Sequence, residues 1–421
     1  MSDLPADSHV DLPADLATEP DRQPQPKPRA KPQLTPDLAA DPDPGPTPKA
    51  DPERAAADLL AAAHAFLPDV ADPLPVAGRG HLLRVRAEGG EWTVRRLPVD
   101  VLPERIAATH ALLRWLSDAD VVVAPVLRQL PDGATVLARD GARYEVRSWL
   151  PGKTPARAAV AYPHPDRWLE MPGALSEEAF AAIVGALARL HAASAAAPAR
   201  ELPRLPAAPL AGLPTAVQAA WQDALRRLRP VAPRTPVAQR WIVAAERAVP
   251  AAEAALAAAP LAASPVVAHL DLWPGHVVLD DDGGFAGLLG WDRAALGSPL
   301  LDLAQAAVRL RGWSASTAEE TISAQGTVRP LAADERRALP ALATLDAVAV
   351  AGGLLVAAYA PPPGSPAAPS ALRQAAGRAV EGLENALAAM GVVEAKSQRS
   401  NSRSGSARRR KVAAGPRSRR R

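Results

Sequence analysis

The chain has 421 residues, 48% of them apolar, which gives room for one large two-lobed domain or two ordinary ones. It contains no cysteine, which excludes structural disulfides, thiolate zinc sites and cysteine nucleophiles together. The formal charge of +3 conceals a division: residues 396–421 carry eleven Lys/Arg and no acid, so the rest holds 37 basic against 45 acidic residues.

Residues 1–50 hold twelve prolines and a repeated DLPAD. Such a segment buries too little apolar surface to offset its chain entropy, so disorder is expected there. Asp51-Pro52-Glu53 reads as a helix start before AAADLLAAAHAFL. HLLRVRAEGGEWTVRRLP (81–98) reads as two strands joined at Glu88-Gly89-Gly90, and ERIAATHALLRWL (104–116) as a helix with Ile106, Leu113 and Leu116 on its apolar face. Three β-like runs follow, VVVAPVLRQL, TVLARD and RYEVRSWL, before a short LPG linker at 150–152.

Beyond the linker the pattern turns helical. SEEAFAAIVGALARLHAAS (176–194) opens on a serine cap with two acids in its first turn. TAVQAAWQDALRRL and RWIVAAERAVPAAEAALAA continue the theme, with Pro250 expected to kink or end the second. VVAHLDL, HVVLDDDGG and FAGLLGW interrupt as strands, and helices close the fold with Gly391 as a C-cap. The longest apolar run, 347–360, is shorter than a bilayer span and reads as a buried helix, so no membrane is expected. The N-terminus lacks the basic start and apolar core of a secretory signal, and the cytoplasm is the expected compartment.

The expected fold is α+β and bilobal like a protein kinase. A β-rich N-lobe (51–150) is followed by a larger helical C-lobe with an inserted hairpin (151–395) and a disordered basic tail (396–421). That tail is expected to contact polyanions or nucleic acid non-specifically.

The stretch 269–304, HLDLWPGHVVLDDDGGFAGLLGWDRAALGSPLLDLA, resembles the aminoglycoside phosphotransferase family of small-molecule kinases. The family pattern is H-G-D-L with a following asparagine, an acidic turn, G-x-I-D-W and a downstream D-L-A. The resemblance extends to RYEVRSWLPG and ALARLHAAS and covers about residues 55–390. It implies ATP and magnesium as cofactors and a small-molecule hydroxyl as acceptor.

Phosphoryl transfer needs a group near the acceptor hydroxyl, metal on the phosphates and a cation gripping them. Asp271 is the candidate base, and His269 would brace its loop. His276 stands where the family has a magnesium-holding asparagine, and imidazole suits transition metals better than magnesium. Gly290 stands at the position of the metal-binding aspartate, which glycine cannot replace. Asp292 either reaches the metal after a small shift or is an ordinary polar residue after the strand, and the second reading is preferred. Lys153 is the only lysine between 50 and 395, so Arg95 takes the place of the phosphate-gripping lysine or is a solvent-facing strand arginine. Gly78 and Gly80 in AGRGH form a candidate phosphate-covering loop. The acid expected on the N-lobe helix is not evident, since Glu104 comes early and His110 stands near its place. Asp302 is expected to stabilise the fold beneath the site.

Two functions follow: an ATP-dependent phosphotransferase impaired by lost metal ligands, or a pseudokinase serving as a binding or regulatory module. A nucleic-acid-associated protein driven by the tail ranks third.

Overall fold

The computed structural model describes residues 52–391 apart from 76–80, 88, 156–158, 162–167, 171–174, 209–212, 260–264, 362–367 and 369. The terminal segments expected to be disordered, and the loop holding Gly78 and Gly80, lie outside the described residues.

The N-lobe runs α1 (Pro52–Phe66), β1 (Ala71–Pro75), β2 (Leu82–Ala87), β3 (Gly90–Leu97), α2 (Pro103–Ala119), β4 (Leu137–Arg139) and β5 (Ala142–Ser148). The strands form one antiparallel sheet in the order β1-β2-β3-β5-β4. Alternation decides its two faces. Leu83, Val85, Val94, Tyr144 and Val146 are buried against Leu59, Ala62, Ala63 and Phe66 of α1 in a core of their own. Each aliphatic side chain so buried contributes about 1.5–3 kcal/mol. The opposite face carries Arg95, paired in register with Glu145, and Arg147, paired with Thr93. α2 belongs elsewhere: its Leu112, Leu113 and Leu116 join the larger core of the C-lobe.

The C-lobe comprises β6 (Ala159–Ala161), β7 (Trp168–Glu170), α3 (Glu177–Ala196), β8 (Ala207–Ala208), α4 (Leu213–Leu228), α5 (Pro236–Ala258), β9 (Val266–Ala268), β10 (Val277–Leu279), β11 (Phe285–Leu288), β12 (Ala295–Gly297), α6 (Pro299–Gln305), α7 (Ala315–Gly326), α8 (Ala333–Tyr359) and α9 (Ser370–Ala389). The Ser176 hydroxyl accepts from the Ala179 amide at 3.1 Å and starts α3 where the sequence places it. α3 and α8 are long and apolar enough to cross a membrane, but most of each is buried inside the protein, as in core helices.

One expectation fails and a second is narrowed. Residues 121–130 form no named strand; Pro125 interrupts the run, and only Leu127 bridges to Arg147 of β5. Pro250 does not end α5, which continues to Ala258 because Trp241, Ala245, Ala248 and Ala252 stay buried in the C-lobe core.

The linker between lobes is stitched to the hairpin of β10 and β11. Lys153 and Leu279 exchange both amide hydrogen bonds at 2.8 Å. Gly152, at φ +128°, permits this approach: a Cβ there would sit 2.9 Å from Val278 Cγ1.

Candidate functional site

The loop after β9 is fixed from below. Asp302, fully buried on α6, accepts the amides of His269 and Leu270, each at 2.8 Å, and a third bond from His191 Nε2 at 3.0 Å. Burial opposes the charge of Asp302, but the His191 hydrogen bond and the loop amides hold its carboxyl below the usual range. Gln305 adds two bonds, accepting the Leu272 amide and donating to the Leu270 carbonyl. The expected role of Asp302 is therefore visible in its contacts, while Gln305 was not anticipated.

Leu270 occupies φ +59°, a left-handed conformation that glycine adopts freely and leucine adopts at a cost of about 1–2 kcal/mol. The Asp302 and Gln305 bonds on both sides of it hold that conformation.

His269 bonds across the loop. It is buried, which depresses its pKa and keeps it neutral. Its Nε2–H donates to the Leu289 carbonyl at 2.7 Å, leaving Nδ1 to accept the Asp271 amide at 3.2 Å. Its ring meets the Trp291 ring edge-on with centroids 4.5 Å apart. Asp271 retains 20% of its side-chain surface, and its Oδ1 accepts from Trp273 Nε1 at 3.1 Å. The arrangement leaves a carboxylate at the surface of a rigid loop, suited to orient a hydroxyl.

The metal positions are arranged differently. His276 Nδ1–H donates to the Asp271 carbonyl at 2.6 Å, which draws its ring across the loop. The ring fills the space beside Gly290, where a Cβ would fall 2.6 Å from its Cγ. Gly290 also lies at φ +76° and ends the extended chain, so Asp292 does not continue β11 but sits in a single 3-10 turn, Trp291–Arg293. From there Asp292 reaches the N-lobe. Arg95 forks onto both its oxygens, at 2.5 and 3.0 Å, and Arg147 Nη2 adds a bond of 3.1 Å to Oδ1. Arg105 of α2 donates Nε and Nη2 to the Asp292 carbonyl, the first at 2.7 Å.

Glu145, with no exposed surface, completes the cluster. It accepts from Arg95 Nε at 2.7 Å, pairs with Arg147 Nε at 2.6 Å and meets His110 Nε2 at 2.7 Å. Burial works against its charge, but Arg147, Arg95 and the His110 bond bring its pKa down to about 2. Burial likewise opposes Asp292, and the same two arginines hold its carboxyl well below the ordinary value. Arg95 is raised: the charges of Asp292 and Glu145 outweigh its desolvation.

These positions do not fit magnesium. The ion takes six hard oxygen ligands, whereas Gly290 offers none, His276 offers nitrogen, and both Asp292 oxygens already hold guanidinium groups. Among the described residues no group of three or more His, Asp or Glu converges to hold a metal. The structure thus corrects two expectations. Asp292 is an ion-pair partner, neither the open ligand nor the ordinary polar residue preferred for it, and Arg95 is neither solvent-facing nor free for phosphate. The acid expected on the N-lobe helix as partner of Arg95 is replaced by Glu145 on β5, which His110, standing near the expected place, also meets. Lys153 stays at the surface with Asp281, 80% exposed.

The sequence matches the model of the phosphotransferase enzyme family over residues 82–340, more than half of the chain. The chain belongs to this family. No curated protein matches it. Among solved structures, this phosphotransferase-family chain is similar to an aminoglycoside phosphotransferase from Alicyclobacillus acidocaldarius, with TM-score 0.52 and 14% identity over 80% of this chain and 94% of that one. It is similar to the same degree to the spectinomycin phosphotransferase APH(9)-Ia in complex with ADP and spectinomycin, at TM-score 0.52 and 11% identity, covering 80% of this chain and 98% of that one. At such identities the likeness speaks for the fold. That fold is the bilobal, kinase-like one expected from the order of strands and helices.

Proposed function

We propose that this member of the phosphotransferase family is a kinase-shaped binding or regulatory module in which ATP-dependent phosphoryl transfer to a small-molecule hydroxyl is impaired or lost. One observation carries the reading: Arg95, which stands in the place of the cation for the phosphates, and Asp292, two residues after Gly290, are bonded to each other. Each neutralises the other, so neither is presented to a nucleotide.

The test is calorimetric titration of the full chain with ATP, once with magnesium and once with EDTA. Weak binding with little dependence on magnesium, and slow or absent phosphate transfer, is the expected result. Tight magnesium-dependent binding that disappears in Asp292→Ala would overturn the reading and restore Asp292 as a ligand.

The second reading, a working phosphotransferase, draws on the intact loop at 269–272. Asp271 remains partly exposed and its backbone remains anchored to its neighbours. Under that reading Asp271→Asn abolishes a turnover that the wild type possesses.

A further inference from the structure

At one end of the N-lobe sheet, the β3–α2 turn and the β4–β5 turn wall a groove of about 550 Å³. Val99 and Leu102 stand on its rim. They are the most exposed large aliphatic side chains among the described residues, with 77% and 66% of their surface open. A single exposed aliphatic is ordinary, but two that share one concavity mark a contact surface. The groove also carries charge. Arg139 pairs with Asp140 at 3.4 Å, whereas Arg143 has no carboxylate bonded to it among the described residues. Arg143 Nη2 donates to the carbonyls of Pro98, Val99 and Val101 at 3.0, 3.1 and 2.7 Å, which ties it to the first turn without neutralising it. Asp100 also lines the groove, so an occupant with few, spaced carboxylates fits better than a dense acidic run.

The occupant thus needs an aliphatic side chain for the rim and a carboxylate near it for Arg143. The pattern D-L-x-A-D supplies both and occurs three times before α1, at 3–7, 11–15 and 37–41. Those copies hold three of the five leucines in residues 1–50, and residues 1–21 carry six acids with no Lys or Arg. The chain also enters the fold at this end of the sheet. Leu59 of α1 shares a core with Ala142 and Tyr144 at the start of β5, while Arg128, whose amide bonds Val146 further along, reaches the Phe66 carbonyl at the other end of α1. Burial pushes the Tyr144 phenol up, and Asp58 of α1 is the next cause, with Arg96, Asp140 and Arg139 after it. Ten residues separate the last copy from Pro52, which span about 33 Å when extended.

We propose that this groove is a docking site for the chain's own D-L-x-A-D repeats, which occupy it one at a time. The leucine enters between Val99 and Leu102, and a flanking aspartate pairs with Arg143. A segment too poor in apolar residues to fold alone still binds through one short motif, and three copies on one tether raise the local concentration of that motif at the groove.

The experiment uses the absence of cysteine. Val99→Cys in the full chain puts a single thiol on the rim, and its rate of alkylation by iodoacetamide, a neutral reagent, reports whether the groove is covered. The same thiol is placed in a chain that also carries Leu4→Ser, Leu12→Ser and Leu38→Ser. Alkylation is expected to be about three- to tenfold faster in that chain, from a millimolar local concentration acting on a weak site. A synthetic peptide of residues 2–16 is expected to slow it again, and the same peptide with Leu4 and Leu12 replaced by serine to leave it fast. Val123→Cys, exposed and outside the groove, is expected to react equally in both chains. Equal rates at position 99, a peptide that does not protect, or a difference at position 123 each overturn the proposal. A wild-type rate that falls as protein concentration rises also overturns it, because the groove is then filled by a second copy. Salt is expected to speed the reaction at position 99 in the chain with intact repeats, and coverage indifferent to salt overturns the pairing with Arg143.

Discussion

Restoring the missing aspartate tests whether His276 and Gly290 are one change or two. Gly290→Asp alone places a side chain at φ +76°, which costs about 1 kcal/mol for an aspartate. It also drives Cβ into the His276 ring, 2.6 Å from Cγ. The ring can escape only by giving up its bond to the Asp271 carbonyl, worth about 1 kcal/mol, or by straining its neighbours at about 1–3 kcal/mol. The single variant should therefore lose about 2–4 kcal/mol. His276→Asn alone loses the ring packing and the same bond, about 1 kcal/mol. With the ring gone, the second aspartate costs only its backbone strain, so the double variant should be more stable than the sum by about 1–3 kcal/mol. Urea unfolding with a shared slope measures all four corners of the cycle. Additivity within about 0.5 kcal/mol would refute the claim that the ring fills the side-chain space. The double variant, and not Gly290→Asp alone, should gain magnesium-dependent ATP binding from the hard oxygens it restores.

Glu145→Gln should destabilise the protein by about 3–5 kcal/mol, because Arg95 and Arg147 remain buried with one partner fewer, and the midpoint of thermal unfolding reports the loss. The carboxyl is lowered on folding from 4.5 to about 2, so its contribution is complete above pH 4.5 and disappears as pH falls towards 2. The gap between wild type and Glu145→Gln should accordingly shrink over that window, and a gap that is constant with pH would contradict the assignment. For the basic segment we propose non-specific polyanion contact. Duplex DNA affinity should fall steeply with salt and vanish on deletion of residues 396–421, and a truncated chain that binds equally well would exclude the tail as the cause.

The fold was legible wherever the determinants are local. The alternation in 81–98 and 143–148, the cap at Ser176 and the left-handed Gly391 each act within a few residues, and the structure has them in place. The loop at His269 and Asp271 was legible through its resemblance to the family pattern and not through local determinants, since Asp302 and Gln305 of a later helix hold it. What sequence could not supply is which distant charges meet. Arg95 and Asp292 are 197 positions apart, and Arg105 and Arg147 look like any surface arginine until the lobes close on them. One signal was available: Glu145 stands in RYEVRS on a strand whose neighbours are buried, and a charge in that setting requires partners. His276 and Gly290 read separately as two losses, since a shared volume has no signature in a linear pattern.

The division of apolar cores bears on how the molecule comes apart. The five-stranded sheet and α1 share one cluster, while α2 is anchored by Leu112, Leu113 and Leu116 in the other. Sub-global opening should follow that seam and not the order of the chain. Amide protons of β2, β3 and β5 should exchange together as one cooperative unit, and those of α2 should exchange with α3 and α8, although α2 lies between β3 and β4 in sequence. A helix enclosed by one folding unit but packed in another should couple the two, so that completion of the sheet is expected to depend on capture of α2 by the large lobe.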